Sequence, residues 1–314
     1  MRVGIIHRPG ATSGGDWIAA NNYAYELRNL GMDVNLIPAD DFQSFLSCDF
    51  LHLYAACSPD WGLPAAREVK RLGKPLIVSP FWWPRDERQA YYGYAGKDLV
   101  RGYTEAVAKT LSLADVLFTV TMSEAVECWK LVPRVNVKVI GIGCANPPIM
   151  EDVERHDVVV SIGRIEPHKN QLMTVRAAKR LGFPVILAGE IANPEYWEVI
   201  QREGWDVKHF IPNEKQKWLL LAGSRVHALP SFFENPGLVH SEAALTFTPS
   251  VMGGHGCEPE FFGEYGIYCD PTDLDDITEA IAEAWDREPA WWAEIPEWRD
   301  VAWSGYSWMV YHGQ

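Results

Sequence analysis

The stretch VVVSIGRIEPHKNQLMTVRAAKRLGFPVILAG, residues 158–189, reads as strand, helix, strand. VVVSIGR is a short apolar run, NQLMTVRAAKRLG has helical periodicity and stops at a glycine, and PVILAG is a second apolar run. Two strands joined through a helix are the unit of a parallel sheet. Downstream the alternation continues with NPEYWEVIQREG (helix), VKHFIP (strand), NEKQKWLLLAG (helix), RVHALPS (strand), a helix after Glu234, TPSVMGG, GIYCDP and a helix from about residue 273 to 286. Upstream, RVGIIHR, MDVNLIP, DFLHLYA, KPLIVSP, VLFTVT and VKVIGI read as strands, with helices at 16–31 and around 63–72, 101–113 and 123–130. Residues 145–157, ANPPIMEDVERHD, combine a proline pair with charge and read as a linker. The expected fold class is α/β, two Rossmann-like doubly wound domains in series, with a ligand in the cleft beyond the carboxyl ends of their strands.

At 314 residues, 47% apolar and 22% charged, the chain can bury a core in each domain, and widespread disorder is excluded. The net charge of −14 lies wholly in the second half: residues 1–150 hold 15 basic and 15 acidic side chains, and residues 151–314 hold 13 and 27. Nonspecific binding of nucleic acid or anionic lipid through the second half is therefore disfavoured, while the neutral first half leaves such contacts open. Cys48, Cys57, Cys128, Cys144, Cys257 and Cys269 are scattered without a C-x-x-C pair, so reduced thiols in a cytoplasmic protein are expected. No stretch approaches a membrane-spanning length, and MRVGII is broken at once by HRPGATSGGD, unlike a signal peptide.

Chemistry concentrates in three places. In PSFFENPGLVHSEAAL, residues 230–245, Glu234 and Glu242 stand eight positions apart around a helix start, with Pro236 suited to its first turn and Glu242 about two turns inside. Free N–H groups and the macrodipole at such a start favour an anion, so a phosphate with polar groups on either side is one reading. In the other, Glu234 offsets the dipole and Glu242 is a solvated helix residue. In VVVSIGRIEPHKN, Arg164 follows a strand end and Lys169 stands at the mouth of the next helix, placed to clamp a diphosphate. In PGATSGGDWIAA, residues 9–20, Gly14 and Gly15 precede a helix that Asp16 can cap, and they let backbone approach a ligand or simply make a turn. GIGCAN at 141–146 lacks the third glycine of a dinucleotide fingerprint, and DLD at 273–275 reads as helix capping rather than as a metal motif.

Together these stretches resemble the family-four retaining glycosyltransferases of the GT-B fold. The likeness rests on the early Gly-Gly loop, on GRIEPHKN for the family's G-R-…-K-N/G element, on PSFFENPGLVHSEAAL for its P-S-x-x-E-G-F-G-L-…-E-A stretch, and on YSWMVY for its closing F-S-W segment. It implies an acceptor domain at 1–147, a nucleotide-sugar domain at 148–299 and a helix at 300–314 returning to the first domain. It also implies roles: Arg164 and Lys169 on the donor diphosphate, Asn235, Gly237 and Leu238 beside phosphate or sugar, Glu234 on the sugar hydroxyls, Glu242 on the ribose, Gly14 and Gly15 near the phosphate, and backbone at Ile211 near the base. By resemblance the reaction is sugar transfer with retention to a glycan, lipid-linked or small-molecule hydroxyl, with the positive side chains in place of a divalent metal and no cofactor beyond the donor.

Several positions depart from the family pattern. E-G-F-G-L is here Glu234-Asn235-Pro236-Gly237-Leu238, which removes one backbone donor; Glu258 or Glu260 of GGHGCEPEFFGEYG supplies the G-G-…-E carboxylate; His52 matches a common family position or is structural; His168 and His240 flank the phosphate region in solvent-facing or supporting roles. FWWPRDERQAYYGY, residues 81–94, packs six aromatics and two arginines where the family receives its acceptor, making Trp82, Trp83 and Arg85 candidate acceptor contacts or parts of an aromatic lid. Two alternatives stand beside sugar transfer. A transferase acting on a modified nucleic-acid base would show salt-dependent DNA binding, and a non-catalytic nucleotide-sugar binder would hold donor without turnover.

Overall fold

The computed structural model describes residues 1–11, 14–54, 59–84, 97–145, 147–148, 153–287 and 297–312. These fall into two compact units, one from residues 1–84, 97–145 and 297–312, the other from 147–287. In the first unit the strands are β1 (Arg2–His7), β2 (Asp33–Pro38), β3 (Phe50–Tyr54), β4 (Leu76–Ser79), β5 (Val116–Thr119) and β6 (Val137–Val139). They pair in parallel in the order β2-β1-β3-β4-β5-β6. Leu51, Leu53, Val78 and Leu117 share one core with Ala66 and Val69 of the Pro59–Arg71 helix and with Val107 and Leu111 of the Lys97–Leu111 helix.

The Gly15–Asn29 helix packs against the Trp298–His312 helix within the same unit. Gly305 makes that approach possible, because a Cβ there would run into the Tyr23 hydroxyl. Here too lies His52, fully buried among Tyr23, Tyr54 and Phe118, with Nε2 2.8 Å from the Ser79 hydroxyl. Its place is structural.

In the second unit β7 (His156–Ile162), β8 (Val185–Ala188), β9 (Val207–Phe210), β10 (Ser224–Leu229), β11 (Ser250–Gly253) and β12 (Ile267–Cys269) pair in parallel in the order β12-β11-β10-β7-β8-β9. Strand periodicity divides β7 between two cores. Val159 joins Val175 and Ala178 of the Gln171–Leu181 helix and Ile277 and Ile281 of the Leu274–Asp286 helix. Val160 and Ile162 join Leu221 of the Glu214–Ala222 helix and Ala243 of the Leu238–Leu245 helix.

Local corrections have local causes. His156 and Asp157, expected in the linker, already pair in β7. The helix after Glu234 begins at Leu238 with Gly237 as its N-cap, so Pro236 precedes it and Glu242 lies little more than one turn inside. Asp16 makes an ion pair with Arg8 at 3.2 Å rather than capping, and Gly14 holds the N-cap position. The short Phe42–Phe45 and Glu258–Phe262 helices carry too few residues for a periodic signal. Asp273 caps its helix by accepting from Asp275 N at 2.8 Å, the role read for DLD. Cys48, Cys128, Cys144, Cys257 and Cys269 are buried free thiols, and Cys57 lies outside the described residues. Among the described residues no helix is long and apolar enough to cross a membrane.

Candidate active site

In the second sheet β7 has β8 on one side and β10 on the other, so the chain direction of the connections reverses between β7 and β10. At such a switch point the loops leaving two adjacent strands diverge and open a crevice at their carboxyl ends. The loop after β7 brings Gly163 to Asn170, and the loop after β10 brings Pro230 to Gly237. Hydrogen bonds tie the two together: Phe232 N donates to His168 O at 3.0 Å, and the Asn170 side chain donates from Nδ2 to Pro230 O at 3.0 Å and also to Pro271 O, beyond β12, at 2.8 Å. His168 stacks on Phe233 with ring centroids 4.4 Å apart and donates from Nε2 to Phe233 O.

Across this junction Lys169 Nζ meets Glu234 Oε1 at 2.5 Å, and the Ser231 hydroxyl donates to the same oxygen at 2.7 Å. Burial raises the Glu234 carboxyl, but the Lys169 charge and hydrogen bond overcome it and hold the group lowered to about 2. Arg164 reaches out of the same loop, its side chain 55% exposed and paired with Glu166 at 2.8 Å. Gly237, at φ +85°, turns the chain into the Leu238–Leu245 helix. The N–H groups of Gly237 and Leu238 have no hydrogen-bond partner among the described residues, as expected at a helix start. The Asn235–Pro236 peptide bond just before it is cis.

Glu242 is 8% exposed, which rules out the solvated-helix reading. Its Oε1 bonds to Lys217 Nζ of the Glu214–Ala222 helix, and Lys217 also pairs with Glu214 at 3.0 Å. Burial raises the Glu242 carboxyl against the opposing pull of Lys217.

Residues 148–291 match the family model described as Glycosyl transferases group 1. This part of the chain is a glycosyl transferases group 1 domain. The chain is 26% identical over 238 residues to the O-antigen chain mannosyltransferase B of Escherichia coli, covering 67% of this chain and 61% of that protein. It is 32% identical over 145 residues to the D-inositol 3-phosphate glycosyltransferase of Mycolicibacterium smegmatis, covering 42% of this chain and 33% of that one. The chain thus spans about three fifths and one third of these two relatives. A sucrose-phosphate synthase from Thermosynechococcus elongatus superposes with a TM-score of 0.77 at 14% identity, covering 100% of each chain, and shares the fold. Two six-stranded parallel Rossmann-like units of this kind are the GT-B fold.

Beneath the Glu234 loop the glycosyl transferases group 1 domain carries a sealed polar layer. His227 and His240 each place Nδ1 2.8 Å from the Ser250 hydroxyl, and burial lowers both, His240 to about 4. His240 is therefore neither solvent-facing nor a neighbour of bulk water. Of the two carboxylates in the G-G-…-E stretch, Glu258 is fully buried, whereas Glu260 is exposed. A Cβ on Gly256 would collide with the Glu258 carboxylate and the Glu234 backbone, so glycine is what lets the two approach. Burial raises Glu258 well above the usual carboxylate range, against the opposing pull of the Glu258 and Gly256 backbone N–H groups.

Other expected residues stand elsewhere. Ile211 is 66% exposed directly after the edge strand β9, at the carboxyl edge of the sheet. Gly14 and Gly15 belong to the first unit. Trp82, expected at an acceptor surface, is instead 2% exposed and stacks on Tyr103 in the first core, since an indole gains more from that apolar layer than from water. Trp83 is half-buried, and Arg85 lies outside the described residues. Lys217 and His227 were not anticipated. Lys217 reads as an ordinary i, i+3 partner of Glu214, and only the capping pattern Asn213-x-x-Gln216 hinted at how that helix would be set.

Proposed function

We propose that the chain is a retaining, metal-independent glycosyltransferase that moves a sugar from a nucleotide-diphosphate sugar to an acceptor hydroxyl. The observation that carries this reading is the Lys169–Glu234 pair at the switch point, beside the unpartnered N–H groups of Gly237 and Leu238. In this reading Lys169 and Arg164 offset the charge that develops on the departing diphosphate, and the helix start adds fixed dipoles. Glu234, kept ionised by Lys169, accepts from hydroxyls of the transferred sugar, with Asn235 beside it. Glu242 accepts from the ribose, and backbone at Ile211 meets the base. The leaving phosphate oxygen takes the acceptor proton, so no separate nucleophile is needed. The protein works in the cytoplasm.

The test is release of nucleoside diphosphate from UDP-, GDP- and ADP-sugars in EDTA, water serving as the acceptor. Release from one donor, lost in both Arg164→Ala and Glu242→Ala, is expected. Donor binding without release, even after acceptors of the three classes are supplied, would point to a binding protein. Absence of both binding and release would overturn the reading.

A further inference from the structure

The second sheet carries a cavity of about 340 Å³ at the amino ends of β7, β8, β9 and β10, the edge opposite the switch-point crevice. Its floor follows from the strand register. Val160 pairs with Ile186 and Ile186 with Lys208, so these side chains share one face of the sheet, with Val158 and Asp206 one step back on the same face. Val159, Val185 and Val207 point to the other face and pack into the core there. The Glu214–Ala222 helix packs over β7 and β10, and its Leu219 and Leu220 form a wall of the cavity. On the edge strand β9, beyond that helix, Lys208 and Phe210 are exposed. Val158, Pro184 and Ile186 thus make an apolar floor, with Pro184 itself exposed. Asp206 and Lys208 stand at the rim two residues apart, about 7 Å along the strand. Neither side chain has a hydrogen-bond or ion-pair partner among the described residues.

We propose that this cavity is a second ligand site, for a small zwitterion with an apolar body, the class of the apolar α-amino acids. The ammonium of the ligand pairs with Asp206 and its carboxylate with Lys208, while its side chain lies on Val158 and Ile186 against Leu219 and Leu220. The two rim charges decide the class. A simple cation is repelled by Lys208 and a simple anion by Asp206, whereas a molecule that carries both charges on one carbon satisfies both. Covering Pro184 and Leu219, which is 38% exposed, supplies the apolar part of the affinity. The volume is at the lower end of small-molecule sites and too small for a folded partner. The site lies within the second unit, at the opposite end of the strands from Lys169 and Glu234, so it stands independently of what the switch-point crevice holds.

Calorimetric titrations of the full chain would use L-leucine and L-phenylalanine, together with leucinamide, which keeps only the positive charge, and N-acetyl-leucine, which keeps only the negative. Both amino acids are expected to bind with a Kd on the order of 1 mM or below, and the singly charged analogues about tenfold more weakly. Lys208→Met should weaken leucine about fivefold and bring it level with leucinamide, and Asp206→Asn should bring it level with N-acetyl-leucine. Both side chains are exposed, so neither substitution endangers the fold. Saturating UDP should leave the leucine affinity unchanged. Absence of binding by either amino acid overturns the inference, as does a wild type that holds a singly charged analogue as tightly as leucine, or leucine binding that neither substitution weakens. Displacement of leucine by UDP would move the amino acid to the switch-point crevice and overturn it as well. Failure of donor binding and release bears on the proposed function alone.

Discussion

Glu234 is 8% exposed, and water alone would not keep it charged there. Lys169 does, and the sign of the resulting pH dependence follows. The folded carboxyl is held below its ordinary value of 4.5, lowered to about 2, so its contribution to stability is complete above about pH 4.5 and is lost as pH falls toward 2. Lys169→Met is therefore expected to cost about 3 kcal/mol at neutral pH, because it strands a buried carboxylate. The gap to wild type, read by urea unfolding, should narrow as pH drops from about 4.5 toward 2. A gap that does not change with pH would show that the pair is not what holds the loop. Both residues were legible as motif members in the sequence, but their bond was not: they are 65 positions apart, and nothing local in either stretch specifies the other.

The Leu238–Leu245 helix depends on the residue before it. Gly237 adopts φ +85°, and a Cβ there would stand 2.8 Å from His240 Cδ2 and 3.2 Å from Glu234 Cγ. Gly237→Ala thus combines backbone strain with displacement of the first helical turn. It is expected to lower stability by about 1–2 kcal/mol in urea unfolding. Nucleoside-diphosphate affinity should fall by about tenfold, since the free N–H groups of Gly237 and Leu238 would no longer converge. A variant with wild-type affinity would remove this helix start from the site. The helix was legible from its apolar spacing, but its start was misplaced toward Pro236, since a proline inside the first turn and one two residues ahead of it leave the same local pattern.

Across the whole molecule, several histidines are built in as neutral groups. Burial lowers His52 to about 3 and His240 to about 4, and pushes His227 well below its ordinary value of 6.5. The unfolded chain protonates all three near 6.5, so each favours the fold fully above that pH and progressively less as pH falls through it. At pH 5 the loss is about 2 kcal/mol for each of His52 and His240 relative to neutral pH. Denaturant unfolding at pH 7.5 and pH 5.0 measures it, and equal stabilities would contradict the burial described here. His52 lies in the first unit and His227 and His240 in the second, so both units should weaken in mild acid.

The repeated strand–helix alternation, the two-domain α/β class, the Arg164–Lys169 and Glu234–Glu242 stretches and the capping role of Asp273 all follow from periodicity and short-range chemistry, and the sequence by itself determined them. Tertiary structure decided which strands are neighbours. Setting β10 beside β7 joins Lys169 to Glu234, and laying the Glu214–Ala222 helix beside the Leu238–Leu245 helix joins Lys217 to Glu242. It also decided that Trp82 is core and that Glu258, not Glu260, is buried. The physical reason is that burial and charge pairing are properties of a position in the packed sheet, set by many distant side chains at once, whereas hydrophobic period and helix caps are set within a few residues.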